Sequence, residues 1–374
     1  MAEEQVTARV NGVIERSSLS KKDFAKAIGI DGPKLAKSLA GKRRFTSLEL
    51  ALVAELGSTT VDWLLTGDST RELVLAHRAA EHAIEASDLV GRETIEMLVE
   101  KIEGLQFLGR SLPFPPLPLK PAGSGYVKQA QKLASEYLTM LESPVGGLTN
   151  AELIGLIEDR FGIDVVVTAL PAACDGLSFS DDSVRAIVLA TSDAPFRQRF
   201  TLAHELAHLA FEDSRDEVIE ERVWTHKNQM ESRANTFAGS FLAPKDEIEE
   251  QLAGRLAVDA FDDLVLHFQM SPSAMSWRLL NEDLISQQEQ RGLQSQTARA
   301  TAMRAGEAAE QTNRARLAAV PRPALRLVDA YLEAYRDGAT TLRPAANLLG
   351  QPPETLERYF VDSASADDST LHFA

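Results

Sequence analysis

Residues 200–211 constrain the fold most. They place His204, Glu205 and His208 on a helical stretch whose other positions are almost all apolar or small. A helix that is apolar around most of its circumference has to be enclosed by other elements. The chain must therefore build a layered domain around this one. On a helix, positions four apart lie on one face a turn apart, so both imidazoles can meet one cation. Burying two histidines and a glutamate with no partner would be costly. Zinc fits the requirement, because neutral imidazole binds it well and a coordination position left open suits hydrolysis. Glu205, next to the first histidine, is placed to act as general base on water.

Two histidines leave zinc short of a third protein ligand. One known continuation needs Gly and then His further along, but Phe211 and Ser214 stand at those positions. A carboxylate on a following helix is the better candidate. Glu231 is the one carboxylate in the first half of the helix expected over 230–243, and small Ala234 lets that helix approach closely. A His2Glu set results. His226 is the alternative third ligand; it is equally suited to donate a hydrogen bond to the developing oxyanion, a catalytic role beside Glu205.

Bulk properties narrow the class. The chain has 374 residues, enough for two or three domains of roughly 100–200 residues each. Its net charge of -16 excludes a nucleic-acid coat but not a local basic patch. Cys174 is the single cysteine, so no internal disulfide forms, which fits a reducing cytoplasm. No segment approaches the roughly 18 apolar residues of a membrane span. The acidic start, Met1-Ala2-Glu3-Glu4, lacks the apolar core of a signal peptide. A cytoplasmic protein without membrane association is expected.

Five prolines within residues 112–121 exclude helix and central strand there and read as a semi-rigid linker. Before it, short helical periods are split by Gly29, Gly41 and Gly57, and residues 70–107 read as one or two amphipathic helices. After it, helices are expected over 124–142 and 149–161. Residues 163–167 and 185–190 are β-branched and short, which predicts strands around an Asp175-Gly176 turn. Helices follow over 195–211, 230–243 and 257–285. Residues 286–316 read as a solvated helix or a partly disordered connector, and 322–360 as three short helices. The fold class is mainly α with a small β-sheet. It comprises an N-terminal all-α domain (1–68), a helical connector with the proline-rich linker (69–123), an α+β domain (124–285) and a helical C-terminal region (286–374).

The first of these is basic where the whole is acidic. Residues 16–44 hold nine Lys or Arg side chains against Asp23 and Asp31. A helix over 20–28, a turn at Gly29-Ile30-Asp31 and a helix from Gly32 to Leu39 have helix-turn-helix spacing. Phe24, Ala25, Ile28, Leu35 and Leu39 supply the packing face. Base contacts are expected from Lys34, Lys37 and Ser38, and phosphate contacts from Lys21, Lys42, Arg43 and Arg44. This patch would neutralise phosphates of double-stranded DNA and release counterions.

These residues carry two resemblances. Phe200-Thr-Leu-Ala-His-Glu-Leu-Ala-His, Glu231-Ser-Arg-Ala-Asn-Thr-Phe-Ala-Gly-Ser-Phe-Leu-Ala-Pro and the strand–Gly176–strand pattern before them resemble the ImmA/IrrE family of metallopeptidases. That resemblance implies a zincin-like domain, His204, His208 and Glu231 as zinc ligands, and Glu205 as catalytic acid/base. It implies a regulator that cleaves or inactivates a DNA-bound repressor or antitoxin-like protein. Residues 6–66, through Gly41-Lys-Arg-Arg and Val61-Asp-Trp-Leu-Leu-Thr-Gly, resemble the XRE/Cro-type helix-turn-helix. Such readers engage paired half-sites, which suits a homodimer. The alternative expectation is a transcriptional regulator or antitoxin component that does not cut and uses the zincin fold as scaffold or sensor.

Overall fold

A computed structural model describes residues 2–17, 19–56, 64, 76–79, 84–118, 121, 125–171, 174–213 and 223–364. The chain divides into two compact units, Met1–Leu73 and Val74–Ala374. It is mainly helical with one small sheet, as its periodicities predict. No helix among the described residues is long and apolar enough to cross a membrane.

In the first unit four helices, α1 (Ala2–Arg16), α2 (Lys21–Ala27), α3 (Gly32–Leu39) and α4 (Ser47–Leu56), start and stop on local signals. The Ser20 hydroxyl caps α2 by accepting the Asp23 N–H, and the Asp31 carboxylate caps α3 by accepting the Lys34 N–H at 2.7 Å. Gly29 and Gly41 take positive φ of 73° and 67° just past α2 and α3, where other residues would be strained. Thr46 and Glu49 cap α4 reciprocally: Glu49 accepts the Thr46 N–H at 2.9 Å and Thr46 accepts the Glu49 N–H at 3.3 Å. Val10, Val13, Phe24, Ile28, Leu35, Val53 and Leu64 are buried together. Each contributes about 1.5–3 kcal/mol by leaving water.

The second unit opens on a strand, β1 (Ala76–Ala79), followed by the long helix α5 (Ile84–Phe107). The expected helix over 70–107 therefore begins later. Ala-His-Arg-Ala has no strand signature of its own, and pairing with another strand decides its conformation. Beyond α5 the proline-rich stretch is irregular and is held by its carbonyls. Arg326 donates to the Pro113 oxygen at 2.7 Å and Arg185 to the Pro115 oxygen at 2.6 Å, with the Arg185 guanidinium 3.8 Å over the Phe114 ring.

Helices α6 (Tyr126–Leu141) and α7 (Asn150–Phe161) lead into the strands β2 (Asp164–Thr168), β3 (Cys174–Ser180) and β4 (Arg185–Ala190). Thr149 and Glu152 form a capping box on α7, and Gly162 ends it at φ 64°. The sheet order is β1-β3-β4-β2. β3 pairs antiparallel with both β1 and β4, and β2 runs parallel to β4.

The turn expected at Asp175-Gly176 is not there; both residues lie inside β3. The hairpin turn comes later, where the Asp181 carboxylate accepts the N–H groups of Ser183 and Val184 at 2.7 and 2.8 Å. Glycine at 176 answers a packing demand instead. A Cβ there would stand 2.7 Å from Thr201 Cγ2 and 3.3 Å from Glu205 Cγ. On the other face, a Cβ at Gly91 of α5 would collide with the Leu177 side chain. Side chains alternate along a strand, so the two helices that contain these contacts cover opposite faces of β3.

The helix on the Gly176 side is α8 (Pro195–Ala210), followed by α9 (Val223–Leu242). Phe196, Leu202, Ala203, Leu206 and Leu209 of α8 join Phe237, Phe241 and the buried faces of α6 and α7 in one core. The remaining helices are α10 (Lys245–Leu252), α11 (Phe261–Phe268), α12 (Pro272–Asn281), α13 (Gln287–Leu293), α14 (Ala298–Arg304), α15 (Ala308–Ala318), α16 (Leu325–Arg336), α17 (Arg343–Leu348) and α18 (Pro353–Ala364). Residues 286–316 thus fall into three short helices rather than a single solvated one. Their polar side chains are partly internal: Gln290 donates to Ser276 and Gln294. The Ala318 carbonyl ends α15 against the start of α8, accepting from the Ser192 N–H at 3.0 Å and from Gln198 at 2.9 Å.

Candidate metal centre

α8 is anchored at its start by Arg199, whose buried guanidinium donates to the carbonyls of Leu148 at 2.9 Å and Val145 at 2.8 Å. Burial pulls its pKa down to about 10, still far above neutrality, so the charge persists. One turn on, His204, Glu205 and His208 are all buried. The Nε2 atoms of His204 and His208 lie 3.1 Å apart.

The outer nitrogens determine what those two atoms are. His208 Nδ1 faces Asp213 Oδ2 at 2.9 Å, and His204 Nδ1 faces Asn235 Oδ1 at 3.1 Å. Both partners accept, so each Nδ1 carries the proton and each Nε2 presents a lone pair. Two lone pairs facing each other at this distance repel unless a cation lies between them. Glu231 of α9 completes the group: its carboxylate oxygens are 3.3 Å from His204 Nε2 and 3.7 Å from His208 Nε2. The three ligand atoms lie within 4.8 Å of one another. A tetrahedral zinc with bonds of about 2.0–2.1 Å sets ligand atoms roughly 3.3 Å apart, so the donors present fit it in both chemistry and spacing.

Asp213 is itself fixed. Arg233 of α9 donates to its other oxygen, and the same guanidinium lies 4.0 Å over the Phe211 ring. Burial works against the charged form of His208, but the Asp213 hydrogen bond and the Glu205, Asp213 and Glu231 charges outweigh it and raise its pKa. Burial raises the Glu205 carboxyl above its usual range, and the two histidines and Ser178 only partly offset it. Ser178 of β3 donates to Glu205 Oε2 at 3.0 Å. Glu205 Oε1 is buried with no hydrogen-bond partner among the described residues, as a base awaiting a water or substrate proton would be.

His226 falls in the first turn of α9, and its side chain lies outside the described residues. Asn235, Asp213, Arg233 and Ser178 were not singled out by sequence reasoning. Asn235 had a usable signal, standing four residues after Glu231 on the same helix face. Asp213 had none, since it lies past the end of α8.

In the first unit Lys21, Lys34, Lys37, Lys42 and Arg44 are exposed. Ser38 and Arg43 are placed differently. Ser38 is buried and accepts from Arg43 at 3.0 Å, while the same guanidinium donates to both Glu49 oxygens at 3.0 and 2.7 Å.

No curated protein matches the chain. Residues 158–280, from the end of α7 through nearly all of α12, match the peptidase family model described as the IrrE N-terminal-like domain. The part of the chain that carries the His-His-Glu group is therefore similar to an IrrE-type metallopeptidase domain.

Proposed function

We propose that the second unit is a zinc-dependent endopeptidase and that the first is a head for double-stranded DNA. Its substrate would be a repressor or antitoxin-like protein. His204, His208 and Glu231 would hold the ion. Zinc, when bound, supplies Lewis acidity toward a carbonyl oxygen and toward water. Glu205 then takes the proton of the attacking water on Oε1 and returns it to the departing amine, while Ser178 keeps Oε2 engaged so that one oxygen alone does this work. His226 is the proposed donor to the developing oxyanion. The observation that carries the reading is the pair of imidazole Nε2 atoms 3.1 Å apart beside a buried glutamate with one unpartnered oxygen.

The head rests on its exposed lysines, which follow a helix-turn-helix spacing, in a chain that is otherwise acidic. The test is to measure zinc content and then to incubate the protein with repressors encoded beside it, comparing wild type with E205Q. Cleavage that falls by about 10²–10⁴-fold in E205Q supports the reading. Stoichiometric zinc with no Glu205-dependent cleavage would overturn it and leave a metal-stabilised scaffold.

A further inference from the structure

β1 occupies the sheet edge that borders the metal centre. In the order β1-β3-β4-β2, β3 would be an edge strand if β1 were absent. An uncovered strand edge presents a row of N–H and C=O groups and is a template for an added strand. This edge is the one nearest Glu205. Gly176 and Ser178 are the β3 positions on the α8 face, and both meet that glutamate. β1 pairs with those same positions, Arg78 opposite Gly176 and Ala76 opposite Ser178, and it runs beside α8. With neighbouring strands about 4.8 Å apart, whatever occupies this edge lays its main chain alongside the candidate centre.

β1 is a weak occupant. It is four residues long and its register shifts between Arg78 and Ala79. Such an irregularity interrupts the ladder. Ala-His-Arg-Ala contains no β-branched or aromatic aliphatic-packing residue such as valine, isoleucine or tyrosine, so nothing in its composition favours a strand. A peptide with valine, threonine or tyrosine at alternate positions would pair better.

We propose that β1 is an autoinhibitory strand: it occupies the edge of β3 beside the candidate centre, and an extended segment of the protein substrate has to displace it to pair there. The proposal rests on the peptidase reading for the word substrate, but its test reads binding and not cleavage, so either can fail alone. A tethered occupant competes at an effective concentration in the millimolar range, and removing it should strengthen binding of an external strand.

The probe is a fluorescein-labelled peptide with the sequence of residues 74–82, alone and carrying A76V and A79V. Binding is followed by anisotropy on the full chain carrying E205Q, with and without the double substitution H77P and R78P; of two consecutive N–H groups in an antiparallel strand one faces the partner, so the pair removes one ladder donor from β1 and fixes φ at both positions. The expected result is binding at least ten-fold tighter when the prolines are present, and tighter for the valine peptide than for its parent. Equal binding with and without the prolines, or no binding to a proline variant with an unchanged circular dichroism spectrum, overturns the proposal. If the proline variant does not fold, hydrogen exchange on the E205Q chain decides. The valine peptide should speed exchange at residues 76–79 at least ten-fold, and unchanged protection up to millimolar peptide overturns the proposal.

Discussion

His208 donates its Nδ1 proton to Asp213 across 2.9 Å, and Asp213 is held in turn by Arg233 from the next helix. The histidine's ring orientation and tautomer are thus set from outside the candidate metal centre. Substituting D213N should weaken zinc binding by about 10–100-fold, the usual effect of removing a carboxylate behind a ligating histidine. Chelator competition measures this. Unchanged affinity would mean that Asp213 only packs.

Removing the metal should loosen the second unit. Without a cation, two imidazole lone pairs and the Glu231 carboxylate face one another. Zinc present at about 100 times its dissociation constant should add about 2.7 kcal/mol to stability. Calorimetry with and without zinc reads it as a rise in Tm. The rise should vanish in H204A and shrink in E231Q, and a Tm that ignores zinc in the wild type would count against the site.

Asp164 predicts a pH dependence away from the metal. Burial pushes its carboxyl up to about 7; Arg326 at 3.9 Å, too far to hydrogen-bond, offsets this in part, Glu158 adds to it and Arg322 opposes it. Its folded pKa thus lies above the value of 3.8 it has when exposed. The fold favours the protonated acid, so its stabilising contribution is complete below about pH 4 and is lost as pH rises through about 7. D164N should remove this slope and stabilise the chain relative to wild type at pH 8, by on the order of 2–4 kcal/mol, with little difference at pH 4. Urea unfolding at both values checks it, and parallel curves for the two proteins would refute it.

The basic head should separate into two kinds of residue. The K21A and K42A substitutions, at exposed positions expected to meet phosphates, should leave folding intact, weaken DNA binding, and reduce the salt slope by about 0.9 for each phosphate no longer neutralised. R43A should lower the melting temperature of the first unit as well, because Arg43 ties Glu49 to Ser38. Thermal unfolding and binding titrations at several salt concentrations distinguish them. An R43A protein as stable as wild type would make Arg43 an ordinary surface cation.

How much of the fold and site is legible in the sequence follows from the range of each interaction. His204 and His208 meet because helix geometry brings positions four apart together, and a five-residue string encodes that. Glu231 is readable because the choice lies among few carboxylates on one following helix. Asp213 is not, since it reaches His208 only after α8 has ended and the chain has turned, with Glu212 at a φ of 56°. Gly176 looks like a turn because glycine permits turns; its actual reason, the closeness of Thr201 and Glu205, lies 25 and 29 residues further along the chain. β1 is unreadable on its own, since its conformation comes from β3. Residues 286–316 look solvated because their polar groups find partners internally, as Gln290 does with Ser276.

Gly176 also ties two positions to a common fate. The room left by its missing side chain is filled by Thr201 and Glu205. A chain that kept the glutamate but gained a side chain at 176 would drive a wedge between strand and helix, shifting the carboxylate off Ser178. A chain that lost the glutamate but kept the glycine would be left with a hole beside its sheet. Letters 176 and 205 therefore spell one word, and a misspelling in the strand would disable the helix as surely as one in the motif itself.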